Sequence, residues 1–263
     1  MFTSPGEIAF GVFGLRIHWY GIVMATAICI GLLVVSFIRR KFYSEVSKNF
    51  ALDLAFYLVL GGIIGARLYY VLLDLTFYGH YPLEAFALWH GGLSIHGAII
   101  GSILVGAIYI KRNGESFLKI TDLFTYGLVV GQSIGRWGNF FNSEAFGLPT
   151  SLPWKLYISP ESRPIEFYNY SYFHPTFLYE SLLNICIFLF LFFVVRKVAE
   201  GKNGVVFFSY LVLYSMVRYF VESLRVDSVL NVFGMPIAQI VSVVFFIIGI
   251  CGLILISRKE IAK

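Results

Sequence analysis

Charge is scarce in this chain: only 13% of its 263 residues are Asp, Glu, Lys or Arg. An ordinary soluble domain carries roughly 25%, so a water-solvated globule is a poor fit. Cysteine is equally thin. Cys29, Cys186 and Cys251 each lie inside an apolar stretch without CxxC spacing. Such residues act as small hydrophobes, not as a disulfide framework or a nucleophile. No internal repeat or low-complexity tract is evident. The opening segment, MFTSPGEIAFGVFGLRIHWYG, has no cationic stretch before an apolar core and no small-residue cleavage site. It does not read as a cleaved signal peptide, and the first apolar span is expected to remain as an anchor. His90 and His96 are six residues apart, whereas a helical HExxH site needs four. With no metal or nucleotide motif, no cofactor is expected. The formal net charge of +5 forms no basic stripe or stacking platform, which argues against nucleic acid as a partner.

What the chain has is apolar length: 58% of its residues are hydrophobic and its mean hydropathy is +0.79. A spanning helix needs about 20 mainly apolar residues, and seven such stretches are predicted: 18–38, 51–73, 91–110, 120–140, 175–196, 204–224 and 236–257. The third and fourth are weak because His96, Gln132, Arg136 and Asn139 dilute them. With an outside N-terminus, Arg39, Arg40, Lys41, Lys48, Lys111, Arg112, Lys119, Arg196, Lys197, Lys202, Arg258, Lys259 and Lys263 all fall on the cytoplasmic side. That leaves Arg16, Arg67, Arg136, Lys155, Arg163, Arg218 and Arg225 on the outer side or within spans, as the positive-inside rule requires. The expectation is a single all-α polytopic membrane domain over 1–263 with a cytoplasmic C-terminus. Its outer side carries an aromatic interfacial segment at 74–90 and a proline-containing cap at 141–174. Glycines spaced by four (Gly61 and Gly65; Gly97 and Gly101; Gly127, Gly131 and Gly135) predict close helix packing.

A charge at the bilayer centre costs about 2.5–3.5 kcal/mol and usually marks function. Arg67, Arg136, Arg218, Glu222 and Arg225 all lie in or at the ends of predicted spans. Tyr214, Arg218, Glu222 and Arg225 share one helix face; Arg218 can pair with Glu222, and Arg225 can share it. That pattern fits either an ion-pair ladder or a ligand site. Arg136 and Asn139 also share a face, with Asn142 and Glu144 following. A planar guanidinium flanked by amides and a carboxylate suits a phosphate diester. His96, set among small residues, suits proton transfer or a structural hydrogen bond. Gly131-Gln132-Ser133-Ile134-Gly135 matches GxSxG but falls within a helical span, whereas a nucleophile elbow needs a strand-to-helix turn.

The segments GLSIHGAIIG, GRWGNFFNSEAFGLPT, HPTFLYE and YSMVRYFVESLR occur in that order. Together they closely resemble the bacterial phosphatidylglycerol–prolipoprotein diacylglyceryl transferases, from His18-Trp19-Tyr20 through Arg225. Ala98 departs from the second glycine common after the family's histidine, a minor packing change. The resemblance implies seven spans with the N-terminus outside, in the bacterial cytoplasmic membrane. It implies transfer of the sn-1,2-diacylglyceryl group of phosphatidylglycerol to the lipobox cysteine thiol of a preprolipoprotein, releasing glycerol-1-phosphate at the outer face. Tyr20, His96, Arg136, Asn139, Glu144, Gly147, Arg218 and Glu222 match the family's functional positions, and His174 and Glu180 look like supporting ones. On that basis Arg136 and Arg218 are expected to bind the phosphodiester and His96 to act as base. Tyr20, Asn139, Glu144, Gly147 and Glu222 are expected on the substrate side, with Arg67, Tyr214 and Arg225 in support. The rival readings are a transporter or channel, and an intramembrane serine hydrolase using Ser133 and His96.

Overall fold

The computed structural model describes residues 1–12, 15–226, 231–232 and 234–261; Lys263 and the side chain of Lys259, both in the expected cytoplasmic set, lie outside what is described. Among the described residues the helices are α1 (Trp19–Phe42), α2 (Lys48–Leu73), α3 (Leu75–His80), α4 (Ile95–Arg112), α5 (Phe117–Phe141), α6 (Thr176–Val198), α7 (Val205–Leu224) and α8 (Ile237–Ile261). All but the short α3 match the seven expected spans within a few residues. The third starts at Ile95 and not at 91, because Gly91 and Gly92 take left-handed φ values of 81° and 73°.

Helices suit this sequence because a chain in hydrocarbon must satisfy each backbone N–H and C=O internally. Six of the long helices are apolar enough to cross a membrane. The seventh, α5, falls short because it carries Lys119, Asp122, Gln132, Arg136 and Asn139. Leu33, Phe56, Leu68, Phe193, Phe220 and Leu255 are exposed on these helices, an apolar exterior that water would not tolerate. The protein is a polytopic helical membrane protein.

The chain divides into two compact units, Met1–Phe37 with Thr121–Lys263, and Ile38–Ile120. In the first, α1 lies against α5 at glycines: a Cβ on Gly127 would stand 2.5 Å from the Gly31 carbonyl oxygen. Gly204, the residue that precedes α7, brings no side chain to cap it. Asp122 of α5 replaces that cap, accepting from the N–H groups of Gly204 (2.6 Å) and Phe207 (2.7 Å). A carboxylate at a helix N-terminus meets both the unbonded donors and the positive end of the dipole.

Residues 141–174, expected from sequence as an outer cap, contribute to a small folded element. β1 (Phe2–Thr3) runs parallel to β4 (Leu156–Tyr157), which pairs antiparallel with β5 (Tyr172–Phe173). Beneath them Phe146, Leu156, Ile158, Phe173 and Phe177 form a buried cluster. Arg163 ties the 158–168 turn by donating to the carbonyls of Ile158 (2.9 Å) and Tyr168 (3.1 Å). A hairpin of β2 (Ile8–Val12) and β3 (Leu15–His18) leads into α1, where the sequence predicted no strands.

In the second unit, α2 and α4 meet through the anticipated glycines. A Cβ on Gly97 would lie 2.2 Å from the Gly65 oxygen, and one on Gly101 would lie 2.2 Å from the Gly61 oxygen. The 74–90 segment follows α2 as α3 and two 3-10 turns, Pro82–Phe86 and Leu88–His90.

Candidate functional site

Three helices of the first unit bring their charges to one place. Glu180 enters on α6, one turn after its start, and is 2% exposed. Its Oε1 lies 2.6 Å from Arg136 Nη2 of α5, and its Oε2 lies 3.1 Å from Arg218 Nη1 of α7. The Tyr214 hydroxyl donates to Oε1 at 3.0 Å. One buried carboxylate therefore bridges both candidate phosphate-binding arginines. Arg218 Nη2 also reaches Glu222 Oε2 at 2.6 Å, one turn away on α7, and Arg225 Nη1 lies 3.5 Å from the same oxygen. The helix-face pairing read from spacing alone is present.

The network continues along α5. Arg136 Nη1 donates to Asn139 Oδ1 at 3.3 Å, and Asn139 Nδ2 donates to Glu144 Oε1 at 2.7 Å. Glu144 reaches back because the chain reverses just after α5: Ser143 and Ala145 take φ values of 53° and 56°, and the Glu144 N–H bonds the Asn139 carbonyl at 3.0 Å. Only Gly, Asn and Asp visit that region routinely, so the turn holds a strained shape beside the site. Tyr20, in the first turn of α1, lays its ring on Gly138, where a Cβ would stand 2.8 Å from Tyr20 Cδ2. Its hydroxyl is within electrostatic range of Glu144 and Arg136.

The guanidiniums of Arg136, Arg218 and Arg225 face the carboxylates of Glu180 and Glu222. Burying such groups is expensive, and removing one partner of a buried pair costs about 3–5 kcal/mol. Arg136 and Arg218 each bring five N–H donors, more than these oxygens engage. Such spare, held donors are chemically suited to receive an anion.

Gly147 sits where chain segments close on the cluster. Its N–H bonds the His174 carbonyl at 2.9 Å and it bridges to Arg225. A Cβ there would lie 2.8 Å from His174 Cβ and 3.0 Å from the Leu224 oxygen. Its contribution is close backbone approach. His174 belongs to the cap: its Nδ1 lies 3.0 Å from the Tyr179 hydroxyl, which also accepts from Trp154 Nε1 at 3.0 Å. Burial pushes the His174 imidazole below its ordinary pKa.

Arg67 and His96 belong to the second unit. His96 is exposed in the first turn of α4, its ring centroid 6.1 Å from that of Tyr69. Arg67 is 6% exposed and donates to backbone carbonyls of the segment after α2. His90 is exposed, as expected of a wet interface, with Nδ1 2.7 Å from Glu84 Oε2.

Glu180 carries more of the site than the supporting position assigned from sequence. The available signal was its isolation: it is the lone carboxylate within the apolar α6, and a membrane-buried acid needs a partner. Tyr210, not singled out beforehand, donates to Gln132 Oε1 at 3.0 Å and stacks on Tyr214 at 5.6 Å, backing the ring that holds Glu180. Ser133 is no nucleophile. It is buried in mid-helix, 3% exposed, and its hydroxyl donates to the Ser181 carbonyl at 2.9 Å.

The family model of the prolipoprotein diacylglyceryl transferases matches residues 7–255. The chain is 43% identical over 257 residues to the phosphatidylglycerol–prolipoprotein diacylglyceryl transferase of a Nostoc species, covering 96% of this chain and 90% of that relative. It is 44% identical over 253 residues to the enzyme of the same name from Acaryochloris marina, with 96% and 91% covered. The Thermotoga maritima enzyme of that name is 43% identical over 258 residues, with 97% and 86% covered.

Proposed function

The chain belongs to the prolipoprotein diacylglyceryl transferase family, and from that premise we propose that Arg136 and Arg218 grip the phosphate of phosphatidylglycerol while an acceptor thiol attacks its glycerol carbon. The protein is a transferase that moves a diacylglyceryl group from phosphatidylglycerol to a prolipoprotein. The transporter and serine-hydrolase readings are set aside.

The acceptor is the lipobox cysteine of the preprolipoprotein signal peptide. An ordinary thiol has a pKa of about 8.5, so it needs a base, and His96 is assigned that role because it is exposed at the head of α4. As His96 takes the thiol proton, the sulfur forms a bond to the phosphate-bearing sn-3 carbon of the diacylated glycerol. The carbon–oxygen bond breaks, and its electron pair leaves on the phosphate as glycerol-1-phosphate. The diester carries one negative charge and the departing monoester gains a second. Donors fixed on that oxygen before reaction stabilise the transition state more than the ground state.

The single observation that carries this reading is the bridging of both guanidiniums by Glu180. The carboxylate holds the two forks in place and leaves further N–H donors of both guanidiniums for the lipid phosphate. Glu222 and Arg225 extend the clamp, Tyr214 fixes Glu180, and Asn139 with Glu144 orients Arg136. Tyr20, at the head of α1, hydrogen-bonds the lipid head group, and Gly147 allows the cap to close on Arg225.

The topology proposed with this mechanism has seven crossings in the bacterial cytoplasmic membrane, α5 being the seventh. The N-terminus, the 74–90 segment and the 141–174 cap lie outside, and the site faces outward. The basic residues on the α1–α2, α4–α5 and α6–α7 connections support that orientation.

The test is reconstitution of the purified protein in phosphatidylglycerol vesicles with a lipobox peptide. A peptide mass gain of one diacylglyceryl group, lost when the cysteine is replaced by serine, with glycerol-1-phosphate released in equal amount, is expected. An unmodified peptide, or transfer onto the serine peptide, would overturn the assignment.

A further inference from the structure

Arg67 is a buried cation within α2 that faces backbone carbonyls. Its Nε donates to Ala85 at 3.0 Å, Nη1 to Gly91 (2.5 Å) and Gly92 (2.9 Å), and Nη2 to Ala87 (3.3 Å) and Glu84. The guanidinium also stands 5.3 Å from the ring centroid of Tyr78. Residues 84–92 are thus wrapped around one side chain whose planar fork supplies five donors. Gly92 lies against it: a Cβ there would stand 2.6 Å from Arg67 Nη1.

The wrapped segment runs directly into the start of α4. The Ser94 N–H donates to the Ala66 carbonyl at 3.1 Å, one residue before Arg67 on α2, and His96 follows two residues later. Below that point α2 and α4 are locked at Gly65 and Gly97. The entry to α4 is therefore fixed from above by Arg67 and from below by the glycine contact, and His96 stands between the two.

We propose that Arg67 is a positioning residue for the transfer reaction: by gathering the carbonyls of residues 84–92 it sets where α4 begins and so where the His96 imidazole points. This rests on the reading of His96 as the base. A lysine has three donors on a point charge in place of a planar fork and cannot span the same oxygens. Displacing a catalytic group by about 1 Å can cost roughly a hundredfold in rate.

The experiment compares full-length wild type and Arg67→Lys in phosphatidylglycerol vesicles with a lipobox peptide. It measures kcat, KM for the lipid, and the rate at which diethyl pyrocarbonate modifies His96, followed on its peptide by mass. The expected result is a folded variant with kcat lowered at least about tenfold, a KM for lipid within about twofold of wild type, and an altered His96 modification rate. Wild-type kcat, or a loss that falls equally on lipid KM, overturns the proposal. If Arg67→Lys does not fold, Gly92→Ala keeps the arginine while straining the φ 73° turn that its carbonyl contact holds and crowding Arg67 and Tyr70, and the same kcat-selective loss is expected; wild-type kcat there overturns it instead. Wild-type transfer in the same assay, together with inactivity of His96→Ala, keeps this outcome separate from any failure of the transferase reading or of the base assignment.

Discussion

Replacing Glu180 with glutamine probes the centre of the charge cluster without changing its shape. The carboxylate is 2% exposed and accepts from Arg136 at 2.6 Å, Arg218 at 3.1 Å and Tyr214 at 3.0 Å. Glutamine keeps one acceptor oxygen but puts an NH2 where the other stood, so a donor must face either Arg218 or the Arg136–Tyr214 pair. The variant also leaves Arg136 and Arg218 without the anion between them. Removing one partner of a buried ion pair costs about 3–5 kcal/mol. At roughly 2–4 °C per kcal/mol for a protein of this size, the melting temperature should fall by about 6–20 °C. Two effects on catalysis oppose each other. The extra positive charge favours binding the lipid anion, while the loss of the shared anchor lets both forks wander. Orientation dominates in the chemical step, so kcat is expected to drop about a hundredfold while KM for phosphatidylglycerol holds or falls. The assay pairs thermal unfolding by tryptophan fluorescence with the rate of peptide lipidation. A variant that melts with wild type and transfers at the wild-type rate would refute the reasoning.

Gly147→Ala should destabilise by about 1–3 kcal/mol, because its Cβ meets the Leu224 carbonyl and the His174 Cβ; reduced melting temperature and reduced transfer check this. Asp122→Ala removes the acceptor for the first N–H groups of α7 and should lower stability by about 2 kcal/mol, measurable in the same melting experiment. Burial depresses the His174 pKa, so the unfolded chain takes up a proton at higher pH than the folded one. Stability from this group is therefore full above about pH 6.5 and is lost as pH falls below it. His174→Gln should flatten the melting profile below about pH 6.5, and an unchanged slope there would count against it.

Much of the fold was legible because lipid imposes simple rules. Apolar length placed every long helix within a few residues, and glycines spaced by four marked close-packing faces without saying which helices would meet there. The Arg218–Glu222–Arg225 ladder followed from helical periodicity. The strands were not legible: Phe2–Thr3, Leu156–Tyr157 and Tyr172–Phe173 are two residues long and far apart in sequence, so no period could reveal them. Glu180 was undervalued because pairing across three helices leaves no local spacing signal. Asp122 was missed for the same reason, since its partners lie on α7, 82 and 85 residues away. For Arg67, sequence flagged an expensive charge but could not say that its partners are carbonyls.

The proposed chemistry depends most directly on a planar guanidinium at position 136. Arg136→Lys keeps the charge but loses the fork that reaches Glu180 and Asn139 at once. In phosphatidylglycerol vesicles, with membrane insertion verified, lipidation by this variant should be slower by roughly a hundredfold to a thousandfold, the usual cost of losing a preorganised donor. Lipidation within about threefold of wild type would contradict the claim that two-point donation to the lipid phosphate drives the reaction.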